Sequence, residues 1–206
     1  MMKRLILSMA LLCASFAVRA AQTKDPIGTA VESYFNAAFE RLGKVAAQKP
    51  TVETFRKAMK PCVEATDGFF GGTLIDTDYV IRQTYLKKNF LAKGFSLRKV
   101  KQLDYFWEQM DKNPAPQLSE PGHGSLIQPR LIAMRYPVIT DGKLVNVVSM
   151  MVRTESFLEE TGLDKCSAFK IICRGVPAEE TGTLSENFHE VKLALPSTDW
   201  VIQYDL

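Results

Sequence analysis

The sequence contains few of the residues that bind metals. It has two histidines, His123 and His189, and only three cysteines after residue 20, namely Cys62, Cys166 and Cys173. Their spacings lack the close Cys or His pairs of a zinc site, so no metal or other cofactor is predicted. In an oxidising compartment we expect one disulfide and one remaining thiol, and the sequence does not decide among the three pairings.

Motifs of catalytic nucleophiles are also missing. The chain has no Gly-x-Ser-x-Gly turn that would present a serine nucleophile, and no metal-binding motif. His123, a candidate general base, lies between two glycines without a nucleophile motif beside it. The sequence therefore predicts a protein that is not an enzyme, and an exported hydrolase is the least favoured alternative.

Long apolar runs are missing as well, except at the N-terminus. Lys3 and Arg4 precede the apolar stretch from Leu5 to Val18, and Ala20 follows as a small residue that a signal peptidase accepts. The 14 residues of this stretch are fewer than the roughly 20 that span a hydrocarbon core. The pattern predicts a signal peptide at 1–20 and a periplasmic or secreted protein that is soluble after cleavage.

The mature chain lacks an excess of charge of either sign. The leader carries three of the 26 basic residues and none of the 23 acidic residues, so the remaining chain is electrically balanced. A balanced chain offers no general attraction to phosphate backbones, which makes nucleic acid an unfavoured partner. Residues 21–206 have the length and apolar content of one domain.

Helical patterns come first in the mature chain, and strand patterns follow. Asp25-Pro26 is typical of an N-cap with proline in the first turn, and apolar residues then recur at helical spacing up to Val45. A second helix is predicted from Val52 to Lys60. From Gly68 onward the patterns favour antiparallel strands, the first two around a turn at Asp76-Thr77-Asp78. A short helix is predicted near Glu155 to Glu160 with Gly162 as its stop, and further strands are predicted at Ala168 to Cys173, Val191 to Leu195 and Trp200 to Tyr204. The predicted fold class is therefore α+β, with a long N-terminal helix packed on an antiparallel sheet.

The clearest local pattern is a hairpin around Asp141-Gly142, a dipeptide typical of a two-residue turn. If Thr140 pairs with Lys143, the register places six side chains on one face. The predicted opposite pairs are Tyr136 with Val147, Met134 with Ser149, and Ile132 with Met151. Pro137 cannot donate to the ladder, so we also expect a bulge or an unpaired side near it.

Four stretches resemble a single Cache domain, the extracytoplasmic PAS-like sensor module. They are GFFGGTLIDTDYVI, LDYFWEQM, RLIAMRYPVITDGKLVNVVSMMV and STDWVIQYDL, in that order, and the resemblance spans most of residues 25–206. It implies a small-molecule pocket on one face of the sheet and the long helix on the other. Such receptors continue into a membrane helix and an output domain, whereas this sequence stops at Leu206, so the resemblance implies a stand-alone form without its own output module.

The resemblance also has departures that concern the ligand. The amino-acid-binding branch has an arginine shortly before its Trp-Tyr pair and an aspartate in the strand after the central turn. Leu103 or Asp104 and Met151 occupy the comparable places here. The usual amino-acid ligand is therefore not predicted.

Several side chains could line an apolar pocket with a few polar groups. Arg130 would bind a carboxylate through paired hydrogen bonds, and Tyr105 and Trp107 would contact a ligand through their rings. Taken singly, the methionines are better explained as core residues, and Arg130 and Arg153 as solvated strand ends, but as a group these residues favour a pocket. The predicted ligand-binding residues are Tyr105, Trp107, Arg130, Met134, Tyr136, Ser149 and Met151.

The predicted function is a periplasmic small-molecule-binding domain of the sensor type. Its expected partners are a small ligand, with a carboxylate as candidate, and a membrane-bound signalling or transport protein. The alternative is an exported structural or protein-interaction domain whose sheet face is filled by its own side chains.

Overall fold

The computed structural model describes residues 25–86, 93–122 and 129–206, and the signal peptide predicted at 1–20 lies outside these ranges. Within them the chain forms the α-helices α1 (Pro26–Ala47), α2 (Phe55–Ala65), α3 (Asp104–Lys112) and α4 (Thr154–Thr161). Short 3-10 turns lie at Leu97–Lys99, Lys101–Leu103 and Leu163–Lys165. None of the described helices combines the length and the apolar character that a bilayer span requires.

The first sheet contains five antiparallel strands in the order β2-β1-β5-β4-β3. Its strands are β1 (Phe69–Ile75), β2 (Ile81–Leu86), β3 (Gln117–Leu118), β4 (Leu131–Thr140) and β5 (Lys143–Arg153). The predicted strand pair around the Asp76-Thr77-Asp78 turn is confirmed as β1 and β2, and the predicted central hairpin is confirmed as β4 and β5.

The second sheet has the strand order β7-β6-β9-β8. Its strands are β6 (Ala168–Cys173), β7 (Val176–Thr181), β8 (His189–Leu195) and β9 (Thr198–Asp205). Three of these strands match the predicted ones, but they form a separate sheet rather than extending the first. Within this sheet, β6 with β7 and β8 with β9 pair antiparallel as sequence neighbours.

Helix α1 joins the two sheets. The Asp25 carboxylate accepts a hydrogen bond from Gly28 N at 2.7 Å, which satisfies one free donor of the first turn, and Pro26 occupies the first helical position. Phe35 is fully buried and lies 5.1 Å from the ring of Phe157 and 5.2 Å from the ring of Trp200. The predicted arrangement of a long helix packed on an antiparallel sheet is confirmed.

The predicted register of the central hairpin is wrong beyond its turn. Thr140 pairs with Lys143 as predicted, and Asp141 and Gly142 take φ of 50° and 74°, as a type I′ turn requires. A bulge then leaves Val145 without an opposite residue, since Ile139 pairs with Leu144 and Val138 with Asn146. All later pairs shift by one residue, to Tyr136 with Val148, Met134 with Met150, and Ile132 with Val152.

The expected disulfide is also not formed. Cys62, Cys166 and Cys173 are all unpaired and buried. Burial raises the pKa of the Cys62 thiol to about 11 and that of Cys173 to about 12, so both stay protonated at neutral pH. These residues act as small apolar side chains of the core, where Cys is often found.

Candidate ligand-binding face

The register shift separates the predicted site residues between the two faces of the first sheet. Met134 and Tyr136 lie on the face toward α1, where Met134 is fully buried in the core and the Tyr136 ring lies against Gly43. Ser149 and Met151 lie on the opposite face, which we call the outer face. The prediction that these side chains share one face is therefore wrong, because it omitted the extra residue at Val145.

A line of polar side chains crosses the outer face from edge to edge. Cross-strand pairing places one such residue on each strand, and we call this set the polar row. Its members, from β2 to β3, are Thr84, Thr73, Ser149, Arg135 and Gln117. All five are buried, with exposed fractions between 1% and 7%.

Apolar side chains border the polar row on both sides. Toward the hairpin turn, Ile75 and Val147 pack with the Met110 side chain of α3. On the other side lie Gly71 and Met151. A Cβ on Gly71 would lie 2.0 Å from Cδ2 of Leu86, so only glycine allows that leucine to pack over this position. The polar residues are thus confined to one row.

Helix α3 covers the Arg135 end of the polar row. The Arg135 guanidinium lies 4.7 Å from the ring centre of Phe106 and 4.9 Å from that of Trp107. Gln117 Nε2 donates to the carbonyl oxygen of Phe106 at 2.7 Å. Stacking on aromatic faces suits a buried guanidinium, because it supplies electrostatic attraction without using the N–H donors.

Tyr79 anchors α3 over the sheet. Its ring stacks on Trp107 at 4.5 Å, and its hydroxyl donates to Asp111 Oδ1 at 2.5 Å. Burial, and after it the hydrogen bond to Asp111, raise the pKa of Tyr79 above its usual range, which keeps the hydroxyl a donor. Tyr79 has φ of 57°, a conformation that is uncommon for a bulky residue and that the surrounding packing must hold.

Three polar atoms at this end of the row have no hydrogen-bond partner in the described part of the chain. They are Arg135 Nη1, Trp107 Nε1 and Gln117 Oε1, and all three are buried. Burial lowers the pKa of Arg135 to about 10, and the negative charge of Glu120 opposes that shift. The guanidinium therefore stays charged at neutral pH, and the two donors and one acceptor lie at the Arg135 end of the polar row.

Glu120 and Arg174 link this region to the second sheet. Arg174 Nη2 donates to Glu120 Oε1 at 2.5 Å, and its guanidinium lies 4.4 Å from the ring centre of Tyr105. Both charged residues line a cleft of about 630 Å³ beside β7. Tyr105, a predicted site residue, is 40% exposed and contacts Arg174 rather than the polar row.

The structure brings only part of the predicted site together. Ser149 lies in the polar row, Trp107 covers its Arg135 end, and Met151 borders it. Arg130 lies apart from the row and pairs with Glu155 at 3.1 Å and with Glu179. The sequence analysis missed Arg135, Thr73, Thr84 and Gln117. Polar residues at single positions of otherwise apolar strands were the signal that could have identified them.

The described residues contain no group of three or more His, Cys, Asp or Glu side chains that could hold a metal ion. His123 lies outside the described residues. The chemistry available on the outer face is hydrogen bonding and one buried positive charge.

No protein-family model matches the sequence, and no curated protein matches it significantly. Solved structures do match. An extracellular ligand-binding receptor from Desulfohalobium retbaense has a TM-score of 0.67 at 12% identity, and the match covers 87% of this chain and 39% of that chain.

Two chemoreceptor domains match over most of both chains. The first is the ligand-binding domain of the Pseudomonas aeruginosa amino-acid chemoreceptor PctC, solved with GABA, with a TM-score of 0.63 at 13% identity. The match covers 87% of this chain and 94% of that domain. The second, that of Pseudomonas fluorescens CtaA, solved with L-isoleucine, has a TM-score of 0.60 at 13% identity, with 86% of both chains covered. Identities this low show a common fold, and the chain therefore has the Cache-type α+β fold that its sequence predicts.

Proposed function

We propose that this protein is an exported, non-enzymatic domain of the sensor type that binds a small molecule against the polar row. One observation carries the proposal. Five buried polar side chains cross the outer face, and three buried polar atoms at the Arg135 end have no partner in the described residues. Burying unpaired polar groups costs free energy, and a bound ligand with complementary groups would offset that cost.

The alternative of a structural or interaction domain predicts a different outer face. A face that only closes a core would carry apolar residues throughout, as the rows beside the polar row do at Ile75 and Val147. An apolar side chain could fill the space under Phe106 and Trp107 without burying a charge. Arg135, with an exposed fraction of 5%, therefore favours ligand binding.

The proposal includes a periplasmic location and a partner. The sequence pattern at 1–20 favours export, and the Desulfohalobium protein with the same fold is described as an extracellular receptor. A membrane-bound signalling or transport protein would then respond to the ligand-bound form.

A thermal-shift screen tests the proposal. The chain is expressed with its leader, purified after export, and screened against small carboxylates, amines and purines. A ligand that binds only the folded state must raise the melting temperature. Thr73→Val should reduce that shift by removing one hydroxyl from the row at nearly constant volume.

Thr198→Val is the matched control for this screen. Thr198 is also a buried threonine, but it lies in the second sheet. We expect the ligand-induced shift to survive this change. A panel in which no compound raises the melting temperature, or in which both variants respond alike, would overturn the assignment of a ligand to the polar row.

A further inference from the structure

The polar row contains a positive charge but no negative charge. Arg135 is the only charged residue in the row, and the neighbouring positions on the outer face are apolar. On β1, β5 and β4 these neighbours are Ile75, Val147 and Pro137 on one side of the row, and Gly71, Met151 and Ala133 on the other. No carboxylate on the outer face is thus available to a cationic group of a ligand within the described strands.

The carboxylates nearest to this face already neutralise other charges. Asp111 accepts from Tyr79 and from Arg98 Nη2 at 2.8 Å. Glu120 accepts from Arg174, and its electrostatic effect also reaches Arg135. Its Oε2 has no partner among the described residues, but the two positive charges that interact with Glu120, those of Arg174 and Arg135, outnumber its single negative charge. An ammonium group placed there would be repelled by a net positive charge.

The segments outside the described ranges do not change this balance. Residues 87–92 read KKNFLA, and residues 123–128 read HGSLIQ. Neither segment contains Asp or Glu, and the first contains Lys87 and Lys88. Whatever positions these residues take, they cannot supply a carboxylate for an ammonium group.

We infer that the ligand of the polar row is a small organic acid that carries a carboxylate and no ammonium group. This inference rests on the proposed function. Arg135 would bind the carboxylate through Nη1, which has no partner in the described part of the chain, because guanidinium and carboxylate form charge-assisted hydrogen bonds. The hydroxyls of Ser149 and Thr73 would donate to a keto oxygen of the ligand, or donate to and accept from a ligand hydroxyl. A 2-hydroxy or 2-oxo acid has this combination of groups.

The inference separates this chain from the two chemoreceptor domains that share its fold. GABA and L-isoleucine, the molecules in those structures, each combine a carboxylate with an ammonium group. A site that accepts such a molecule must compensate both charges. The outer face of this protein compensates only the negative one, so the common fold is compatible with a different ligand class.

Matched ligand series provide the test. Each amino acid, for example alanine, valine or leucine, is compared with the 2-hydroxy and 2-oxo acids of the same side chain by titration calorimetry. The acids differ from the amino acid only at C2, where a hydroxyl or a keto oxygen replaces the ammonium group. We expect at least one acid to bind on the order of 100-fold more tightly than its amino acid, since a site rejects a group that it leaves unpaired.

Variants of Arg135 test whether this residue binds the carboxylate of the acid. Arg135→Met should abolish binding of the acid, whereas Arg135→Lys keeps the charge and should retain weakened binding. Arg153→Met is the matched control, because Arg153 also lies over an aromatic ring, 5.3 Å from the centre of Phe70, but is exposed. Circular dichroism of each variant verifies that it folds.

The outcomes distinguish the inference from the proposed function. An amino acid that binds as tightly as its hydroxy acid, with loss on Arg135→Met, would overturn the inference and leave the proposed function intact. Acid binding that persists in Arg135→Met would remove the carboxylate from Arg135 and overturn the inference as well. If neither series nor any other small molecule binds, the proposed function itself fails.

Discussion

The two faces of the first sheet are both buried, but they bury different chemistry. Toward α1 the buried side chains are apolar, and they form one core with both sheets. Toward α3 a polar row separates two apolar rows. Burial alone therefore does not identify a functional face. The difference teaches that one face supplies the packed apolar core, whereas the other buries a row of polar groups that includes the Arg135 guanidinium.

Substitutions at two neighbouring residues of β5 should give the largest difference in stability between the two faces. Met150 is fully buried toward α1, and Ser149 is buried in the polar row. Met150→Ala should lower the free energy of unfolding by about 2–5 kcal/mol, since it leaves a cavity in a packed core. Ser149→Ala should lower it by less than about 1 kcal/mol. Urea unfolding of the ligand-free protein measures both values.

Comparable losses in the two variants would contradict the division of roles between the faces. The ligand-induced rise in melting temperature adds a second criterion. It should decrease in Ser149→Ala and persist in Met150→Ala at temperatures where that variant remains folded.

Arg135→Met is the next test, and here we expect the opposite sign. At pH 7 the ligand-free wild type keeps a buried charge without a hydrogen-bonded counter-ion in the described residues. Replacing such a charge by an apolar side chain of similar volume is neutral or stabilises the fold by about 1–3 kcal/mol. The variant should thus lose its ligand and gain stability.

The pH dependence of unfolding tests independently whether the buried charge of Arg135 destabilises the fold. The folded-state pKa of Arg135 is about 10, below its ordinary value of 12.5, so the unfolded chain holds the proton more tightly. The wild type should therefore gain stability relative to Arg135→Met as pH rises through 10. A difference between the two that stays constant from pH 8 to pH 11 would show that the guanidinium is not destabilised by burial.

Much of the fold follows from local sequence patterns. Asp25-Pro26 marks the start of α1, the helix predicted near Glu155 ends at Gly162, and the turn at Asp141-Gly142 has the predicted pairing. Each of these depends on a few adjacent residues with strong conformational preferences. The overall class and the resemblance to Cache domains could be predicted for the same reason.

The candidate site could not be predicted in this way, because it depends on register. The sequence indicated a bulge near Pro137, but one extra residue at Val145 decided which face Tyr136, Met134 and Ser149 would share. Arg135 was overlooked since the assumed register assigned the pocket to its neighbours. Alignment of five residues from five strands is a property of pairing across the sheet, and no single stretch of sequence contains it.

Replacing Arg130 has the smallest expected effect on stability and ligand affinity. It distinguishes the carboxylate-binding residue predicted from the sequence, Arg130, from the one inferred from the structure, Arg135. Its guanidinium is 36% exposed and already pairs with Glu155 and Glu179, whereas Arg135 Nη1 has no partner within residues 25–86, 93–122 and 129–206. Arg130→Met should therefore lower the free energy of unfolding by less than about 1 kcal/mol, and salt should reduce that loss further, as for other partly exposed ion pairs. Carboxylate affinity should stay within about two-fold of the wild type, because a donor that is held by two glutamates contributes little to an incoming anion. Calorimetric titration of this variant beside Arg135→Met measures the contrast, and loss of binding in Arg130→Met alone would return the carboxylate to the residue that the sequence first suggested.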